Sequence, residues 1–494
     1  IHRTICKRIS KPHGSKCVIM AEIQAVGDFN LSKAEIITSS GLKLDISSSI
    51  INITFFEDIG QSAITGQILL QDPAGISSIG PIIGQEYLRL KIQTPTLKDK
   101  SEIINFTENV LIVNSLETRK DIGDKIQAYV LQFSTSELVK NQRTKVSRSL
   151  KGTYSEIVKN MLNEVGCKKD MYIEPTAGIK RIIAPNVRPF DIIKMAARES
   201  ISKFFYNRNY QFFETFRSYN FRSLSSLYAQ KPVQKYTSYI KGTGTLPGGA
   251  VDIERELGQI LDFEIVDAND AAVNYTTGVY ASNLIVHDIF NKTYKKHTYG
   301  IFNNFRKENH ITSYHTGNGN DYPIYSHVAL EEDKSTVQDY PARTFVTSTG
   351  NLLDKDASHS TENNTFPFSS PNTQDWLQRR ISQEIQLEQG LILNVMTHGN
   401  TVISAGDVVK LDIPYTAAFN TTKKQKNDRF YKGVFLIKRL RHDFDFTVAK
   451  HTTYLTLVKD SLEETLDGPE DNFEPKPKKS GRLIEDREDF YPDI

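Results

Sequence analysis

The sequence predicts a mainly β, α+β chain: two antiparallel β-barrel regions with a small α+β domain inserted between them. Three observations lead to it. Period-two alternation of apolar and polar residues crowds the stretch 34–135. The period turns helical near residue 153, and a dense aromatic band follows. Alternation then resumes and dominates 390–458, so two β regions flank a mixed unit.

In the first region, Ile51, Ile53 and Phe55 share one face of a strand over 49–57 while Asn52 and Thr54 share the other. Over 63–71, Ile64, Ile68 and Leu70 oppose Thr65, Gln67 and Gln71, and Asp72-Pro73 stops the strand. Leu88, Leu90 and Ile92 mark a third strand. Two longer runs, 107–117 and 125–134, flank a turn expected at Asp121-Ile122-Gly123-Asp124. Five or more such strands in about 100 residues make a barrel or a sandwich.

Thr153-Tyr154-Ser155-Glu156 matches a capping box, in which side chain and backbone satisfy each other's free N–H groups. Ile157, Met161, Leu162 and Val165 then recur at helical spacing up to Gly166. Pro189 starts a second helix with Ile192, Ile193, Ala196 and Ala197 on one stripe. The aromatic band 204–221 reads as a hairpin turning near Asn207–Asn209. Gly242–Gly249 is a hinge-like linker. A second β region starts near Val251, and strands follow at 390–395, 407–413, 431–441 and 452–458. A polar stretch, 309–373, interrupts it as a long loop, and a helix runs from Asp375 to about Gln389. The expected division is a non-native or disordered leader at 1–19, a first β domain at 20–148, the insert at 149–241, a second β domain at 242–308 and 374–465, the loop, and a flexible acidic tail at 466–494.

Charge and cysteine content narrow the function. Lys and Arg total 61 against 59 acids, a net of +2, unlike the basic excess of a dedicated nucleic-acid binder. Residues 1–19 carry five bases and no acid, and 463–494 carry eleven acids against five bases. No apolar run is long enough to cross a membrane. Cys6, Cys17 and Cys167 fit no zinc spacing.

Candidate chemistry is sparse. His310 and His315 read as solvated loop histidines, and no His-Glu-x-x-His is present. Gly242-Thr243-Gly244 lacks the Lys-Ser/Thr and the helix of a phosphate loop. Glu331/Glu332 and Glu463/Glu464 stand in polar stretches rather than across a cleft. The aromatics of 204–221, interleaved with Lys203, Arg208, Arg217 and Arg222, could stack bases or fill a core, and a core is the favoured reading. Lys423-Lys424-Gln425-Lys426 reads as a solvated hairpin tip. The expectation is a non-enzymatic chain with no catalytic residue, cofactor or metal.

Two stretches carry a resemblance. The first is Arg188-Pro189-Phe190-Asp191-Ile192-Ile193-Lys194-Met195-Ala196-Ala197-Arg198-Glu199-Ser200, then Tyr210-Gln211-Phe212-Phe213-Glu214-Thr215, then Tyr219-Asn220-Phe221-Arg222-Ser223-Leu224. The second is the helix 376–389 followed by Gly399-Asn400-Thr401-Val402-Ile403-Ser404-Ala405-Gly406-Asp407, then Tyr431–Ile437, His442-Asp443-Phe444 and Tyr454–Ser461. In that order they resemble the baseplate central hub proteins of T4-like contractile-tailed phages and, more distantly, the base of type VI secretion spikes. The loop 309–373, the acidic tail and residues 1–19 have no counterpart in that pattern.

The resemblance implies two tube-type β-barrel domains per chain and a structural homotrimer in the virion tail baseplate, assembled in the host cytoplasm. Three copies would present six similar units, adapting a sixfold tail tube or its initiator above to a threefold central spike below. Wedge proteins would surround it and DNA would pass through its channel. Sheet edges would serve as joints. The residues expected on inter-subunit or inter-domain β surfaces are Ile51, Ile53, Phe55, Thr65, Gln67, Leu69, Val434, Leu436 and Lys438. The alternatives are the hub-like base of a type VI secretion or extracellular contractile device, and a tail-associated peptidoglycan hydrolase.

Overall fold

The computed structural model describes residues 26–463 except 74, 80–81, 96, 98–103, 124–125, 206, 239–252, 269, 290–291, 306–309, 316–335, 350–374 and 414–430. The expected leader, the Gly242–Gly249 linker, the Lys423–Lys426 tip and the acidic tail from 466 lie outside the described residues, as do Glu331, Glu332 and Glu464.

The first region holds β1 (Asn30–Ile37), β2 (Lys43–Asp45), β3 (Ile50–Asp58), β4 (Thr65–Asp72), the short helix α1 (Ile76–Ile79), β5 (Tyr87–Gln93), β6 (Ile104–Asn105), β7 (Leu111–Gly123) and β8 (Ile126–Thr135). There follow α2 (Ser136–Arg143), β9 (Val146–Gly152), α3 (Tyr154–Val165), β10 (Asp170–Ile173), β11 (Lys180–Val187), α4 (Pro189–Glu199), β12 (Tyr210–Glu214), β13 (Ser218–Ser223) and α5 (Leu224–Tyr228). The remainder is β14 (Gln234–Ser238), α6 (Ile253–Leu257), β15 (Gln259–Ala268), α7 (Ala271–Thr277), β16 (Ala281–Asp288), β17 (Thr293–Gly300), α8 (Ile301–Phe305), α9 (Ile311–His315), β18 (Arg343–Thr349), α10 (Asp375–Gln389), β19 (Leu391–His398), β20 (Val408–Asp412), β21 (Gly433–Asp445) and β22 (Lys450–Lys459).

Local signals set the insert. Thr153 and Glu156 close both bonds of the capping box, and Gly166 ends α3 in the left-handed region at φ 75°, where a Cβ would be strained. Pro189 opens α4. The aromatic hairpin turns at Thr215–Arg217, not at Asn207–Asn209: Thr215 N donates to Ser218 O at 2.9 Å. Asn207 is used earlier, in a side-chain turn that accepts from Asn209 N at 2.7 Å. Tyr210, Phe212, Tyr219 and Phe221 fill a core with α3 and α4, so the band is packing rather than a base-stacking surface.

Two six-stranded arrangements flank the insert. In the first, leaving aside the short β2 and β6, the strands neighbour one another as β1-β5-β7-β8-β4-β3. In the second, β14-β20-β21-β22-β19-β15 closes on itself because β15 also pairs with β14. Ranked along the chain, both orders read first, fourth, fifth, sixth, third, second. Strands two to six alternate antiparallel in both. The first strand differs: β1 is antiparallel to β5, whereas β14 runs parallel to both β20 and β15. All six strands of the first set contribute buried residues to one core, and all six of the second to another.

Three details depart from expectation. The strand expected over 107–117 starts at Leu111 and runs through the expected turn to Gly123. Register shifts at Glu117/Lys120 and Asp121/Gly123 absorb the surplus residues, and Thr118 takes a left-handed φ of 54° at the first of them. Strands β16 and β17 pair with β18 in a separate three-stranded sheet rather than in the second ring. The polar stretch 309–373 is not loop throughout: it contains α9 and β18. Helix α9 is anchored at its start, where Ile311 N donates to Asp460 and Thr312 Oγ1 donates to Ser461.

Candidate assembly interface

One sheet crosses between the two β regions. The outer edge of β3 is not closed by β1; it pairs antiparallel with the second half of β21, from Asp58↔Arg439 to Asn52↔Asp445. The ladder is extended at both ends by Phe446 N to Ile51 O at 2.9 Å and Ile59 N to Lys438 O at 3.1 Å.

Beneath this seam, aromatic rings from three parts of the chain meet. Phe55 of β3 lies edge-on to Phe216 of the insert at 5.3 Å and to Phe444 of β21 at 6.3 Å. Phe216 also approaches His442 at 5.3 Å. The next side chain inward on β3 is Glu57. Its carboxylate accepts from Phe216 N at 2.8 Å and from Ala405 N, in the loop before β20, at 2.9 Å. Burial pushes its carboxyl up to about 7, against the pull of those two amides and the more distant Lys169 charge. Glu57 therefore ties the first region to both the insert and the second ring.

A second buried carboxylate joins the insert to the first region. Glu214 accepts from Ile64 N at 2.9 Å and Thr135 Oγ1 at 2.7 Å, and Lys169 Nζ lies 2.6 Å from it with both side chains nearly sealed from water. His442 and His451 form a buried imidazole pair at 3.1 Å. Burial drives the His442 ring down to about 3, and burial plus its neighbour holds His451 well below the ordinary histidine range.

The outer face of the seam is a groove of about 500 Å³. There Arg439 pairs with Asp58 at 2.8 Å and the Arg441 guanidinium lies 3.8 Å over the Tyr454 ring; farther along the seam Asp443 accepts from Asn52 at 2.7 Å. Glu57, the buried acid beneath this groove, is committed to two backbone amides.

The residues expected at β surfaces divide into three groups. Ile53 and Phe55 are fully buried and sit in register with Phe444 and His442 across the seam; Ile51 falls at a register shift and is half-buried. Thr65, Gln67 and Leu69 lie on β4 with their side chains exposed or half-buried, opposite Phe56, Thr54 and Asn52. Val434 and Leu436 are buried against Leu224 and Leu227 of the insert, and Lys438 Nζ reaches Glu388 of α10 at 2.7 Å. Glu57 and Glu214 were not singled out from sequence. A lone Glu ending an apolar alternation, and the Glu within Phe-Phe-Glu-Thr, were the available signals.

His310 and His315 are not solvated. His310 stacks on Phe305 at 3.6 Å and bonds Asp460 at 2.9 Å. His315 bonds Tyr228 O at 2.8 Å, and burial lowers its proton affinity. His310 immediately precedes α9 and His315 ends it, and that helix packs into the core shared by the insert and the second ring, where an unpaired ring nitrogen would be costly. Among the described residues no cluster of three or more His, Cys, Asp or Glu could hold a metal ion, and no helix is long and apolar enough to cross a membrane.

No family model matches the chain and no curated protein matches it. Among solved structures, it is similar to a tail protein from Neisseria meningitidis (12% identity, 88% of this chain and 97% of that one, TM-score 0.49). It is also similar to a 43 kDa prophage tail protein from Shewanella oneidensis (8% identity, 87% and 98%, TM-score 0.45). A third is an E. coli component of the type VI secretion system described as structurally similar to T4 bacteriophage tail proteins (8% identity, 87% and 76%, TM-score 0.39).

Proposed function

We propose that this chain is a structural hub of a contractile-tail baseplate, acting as a homotrimer that adapts a sixfold tail tube to a threefold central spike. The observation that carries the reading is the repeated strand order, first-fourth-fifth-sixth-third-second, on either side of one insert. Two similar blocks per chain let three chains present six similar contacts without six identical subunits. The two domains of this reading centre on β1–β8 and on β14, β15 and β19–β22, with the insert packed on the outside of the second.

The face of β3, β4 and β21 turned away from the cores supports a channel role. It carries Asn52, Thr54 and Gln67, and its two arginines, Arg439 and Arg441, are matched in number by Asp58 and Asp443. A wall of near-zero net charge gives a polyanion little of the counterion-release attraction that excess cations would supply. In this role the chain performs no chemistry, sits in the virion tail, and meets a spike protein below, tube proteins above and wedge proteins around it.

The test is solution mass. Light scattering on the full chain, alone and with the spike partner, is expected to give three times the 56.0 kDa of one chain. A monomer at micromolar concentration in both conditions overturns the hub reading.

A further inference from the structure

The small sheet of β16, β17 and β18 has one packed face and one open face. Leu284 and Val286 of the central strand β16 are fully buried. Side chains alternate along a strand, so Ile285 and His287 point to the other side. Pairing sets Lys296 of β17 and Val346 of β18 beside Ile285, and Tyr294 and Ser348 beside His287. Val346 and Tyr294 are exposed by 71% and 69%, and neither row holds an acid. The solvated face of a sheet is ordinarily polar. A tyrosine, a valine and an isoleucine grouped beside a lysine instead suit a segment that brings its own apolar groups and the opposite charge.

The charge around this face has one sign. Residues 281–300 and 343–349 hold Lys292, Lys295, Lys296 and Arg343 against the single acid Asp288. The complement lies elsewhere in the same sequence. Residues 485–494 read Glu-Asp-Arg-Glu-Asp-Phe-Tyr-Pro-Asp-Ile, with five acids against one base and Phe490 and Tyr491 side by side.

The course of the chain brings that segment within range. Strand β22 ends at Lys459, and the next residue is held at α9: Asp460 accepts from Ile311 N at 3.1 Å and pairs with His310 at 2.9 Å. His310 stacks on Phe305, the last residue of α8, and α8 follows β17 directly. The described residues stop at Glu463, a few residues past Asp460. Residues 464–484 span up to about 75 Å when extended, while the eight residues of β17 cover about 27 Å. The open face therefore falls inside the reach of 485–494.

We propose that residues 485–494 dock on the open face of β16, β17 and β18. Phe490 and Tyr491 lie against Tyr294, Ile285 and Val346, and the acids lie beside Lys292 and Lys296. This docking needs no trimer and is independent of the hub reading.

A chain ending at residue 484 and a synthetic peptide of residues 485–494 separate the two sides of the contact. By titration calorimetry the peptide is expected to bind the shortened chain saturably. K292E/K296E in the chain, or F490A/Y491A in the peptide, is each expected to weaken binding by about tenfold, with the melting temperature of the chain unchanged. Hydrogen exchange is expected to be slower over 283–287 and 344–348 in the full chain than in the shortened one, with β21 and β22 unaffected. Binding that survives both substitution sets, or that a scrambled peptide of the same composition matches, would be attraction of any polyanion to a basic sheet and overturns the proposal. Equal exchange over the sheet in the two chains overturns it as well, and protection in both that grows with protein concentration would assign the face to a second copy instead.

Discussion

Glu57 is the residue on which three parts of the molecule converge, and its ionisation opposes the fold. A free glutamate has a pKa of about 4.3, while burial raises Glu57 to about 7. A group whose folded pKa is raised stabilises the fold fully below its unfolded pKa and loses that contribution as pH rises through the folded value. Between about pH 4.5 and 7 the loss is on the order of 3 kcal/mol. The buried His442 and His451 work in the other direction. Their depressed values withdraw stability as pH falls below about 6.5, so the Glu57 slope emerges only in a difference. Glu57→Gln removes the titration, but its amide can accept from only one of Phe216 N and Ala405 N, at a cost of about 1–3 kcal/mol. The variant is therefore expected to be less stable than wild type near pH 5, with the gap closing or reversing by pH 8. Denaturant unfolding of both proteins at four pH values measures it, and a gap that stays constant with pH would show that folding does not raise the Glu57 pKa.

At the scale of the element, the seam between β3 and β21 combines a backbone ladder, a charged pair and an aromatic cluster, which differ widely in weight. Arg439 is half-exposed beside Asp58, and exposed ion pairs contribute about 0.2–1 kcal/mol. Phe444 is fully buried among Phe29, Phe55 and His451, and truncating such a ring costs about 3–5 kcal/mol. Phe444→Ala is expected to lower stability several-fold more than Arg439→Ala in chemical unfolding; comparable losses would mean that charge rather than packing holds the seam. The strands themselves were legible from alternation, which located Ile53, Phe55, Leu88, Leu90 and Ile92 as inward-facing. Bulges were not legible. Ile51 and Thr118 break the period, and a bulge costs one residue of register without changing composition. The seam was foreshadowed only as a surface near β3 and β21. Nothing local in Ile53 or Phe55 reports that the partner strand lies some 390 residues away, because pairing across domains depends on which edge remains open after each sheet is built. Glu57 and Glu214 stayed hidden for the same reason: their amide partners come from remote turns.

Across the whole molecule, the cores beneath the seam and under the insert are shared between regions. The cluster under the insert draws Ile59 from the first region, Leu224 and Leu227 from the insert, and Leu436 and Val458 from the second ring. The first core takes Phe216 and Phe444 from the other two. Regions that share cores open together, whereas a region with its own small core can open alone. The sheet of β16, β17 and β18 rests on a small core of its own. It packs on Val279, Tyr280, Tyr299, Ile301, Phe305 and Val337, and its Tyr294 and Val346 remain exposed. Hydrogen exchange on the full chain is expected to show two levels. Amides of β3, β4, β21 and β22 should exchange together at the slowest rate, and those of β16–β18 should exchange at least tenfold faster through an opening that leaves the seam intact. Phe444→Ala should then accelerate the slow group as a unit and leave the small sheet unchanged. Equal protection of both sheets in wild type, or acceleration of both by the substitution, would mean that the three-stranded sheet is welded to the rings and that the whole chain unfolds as one piece.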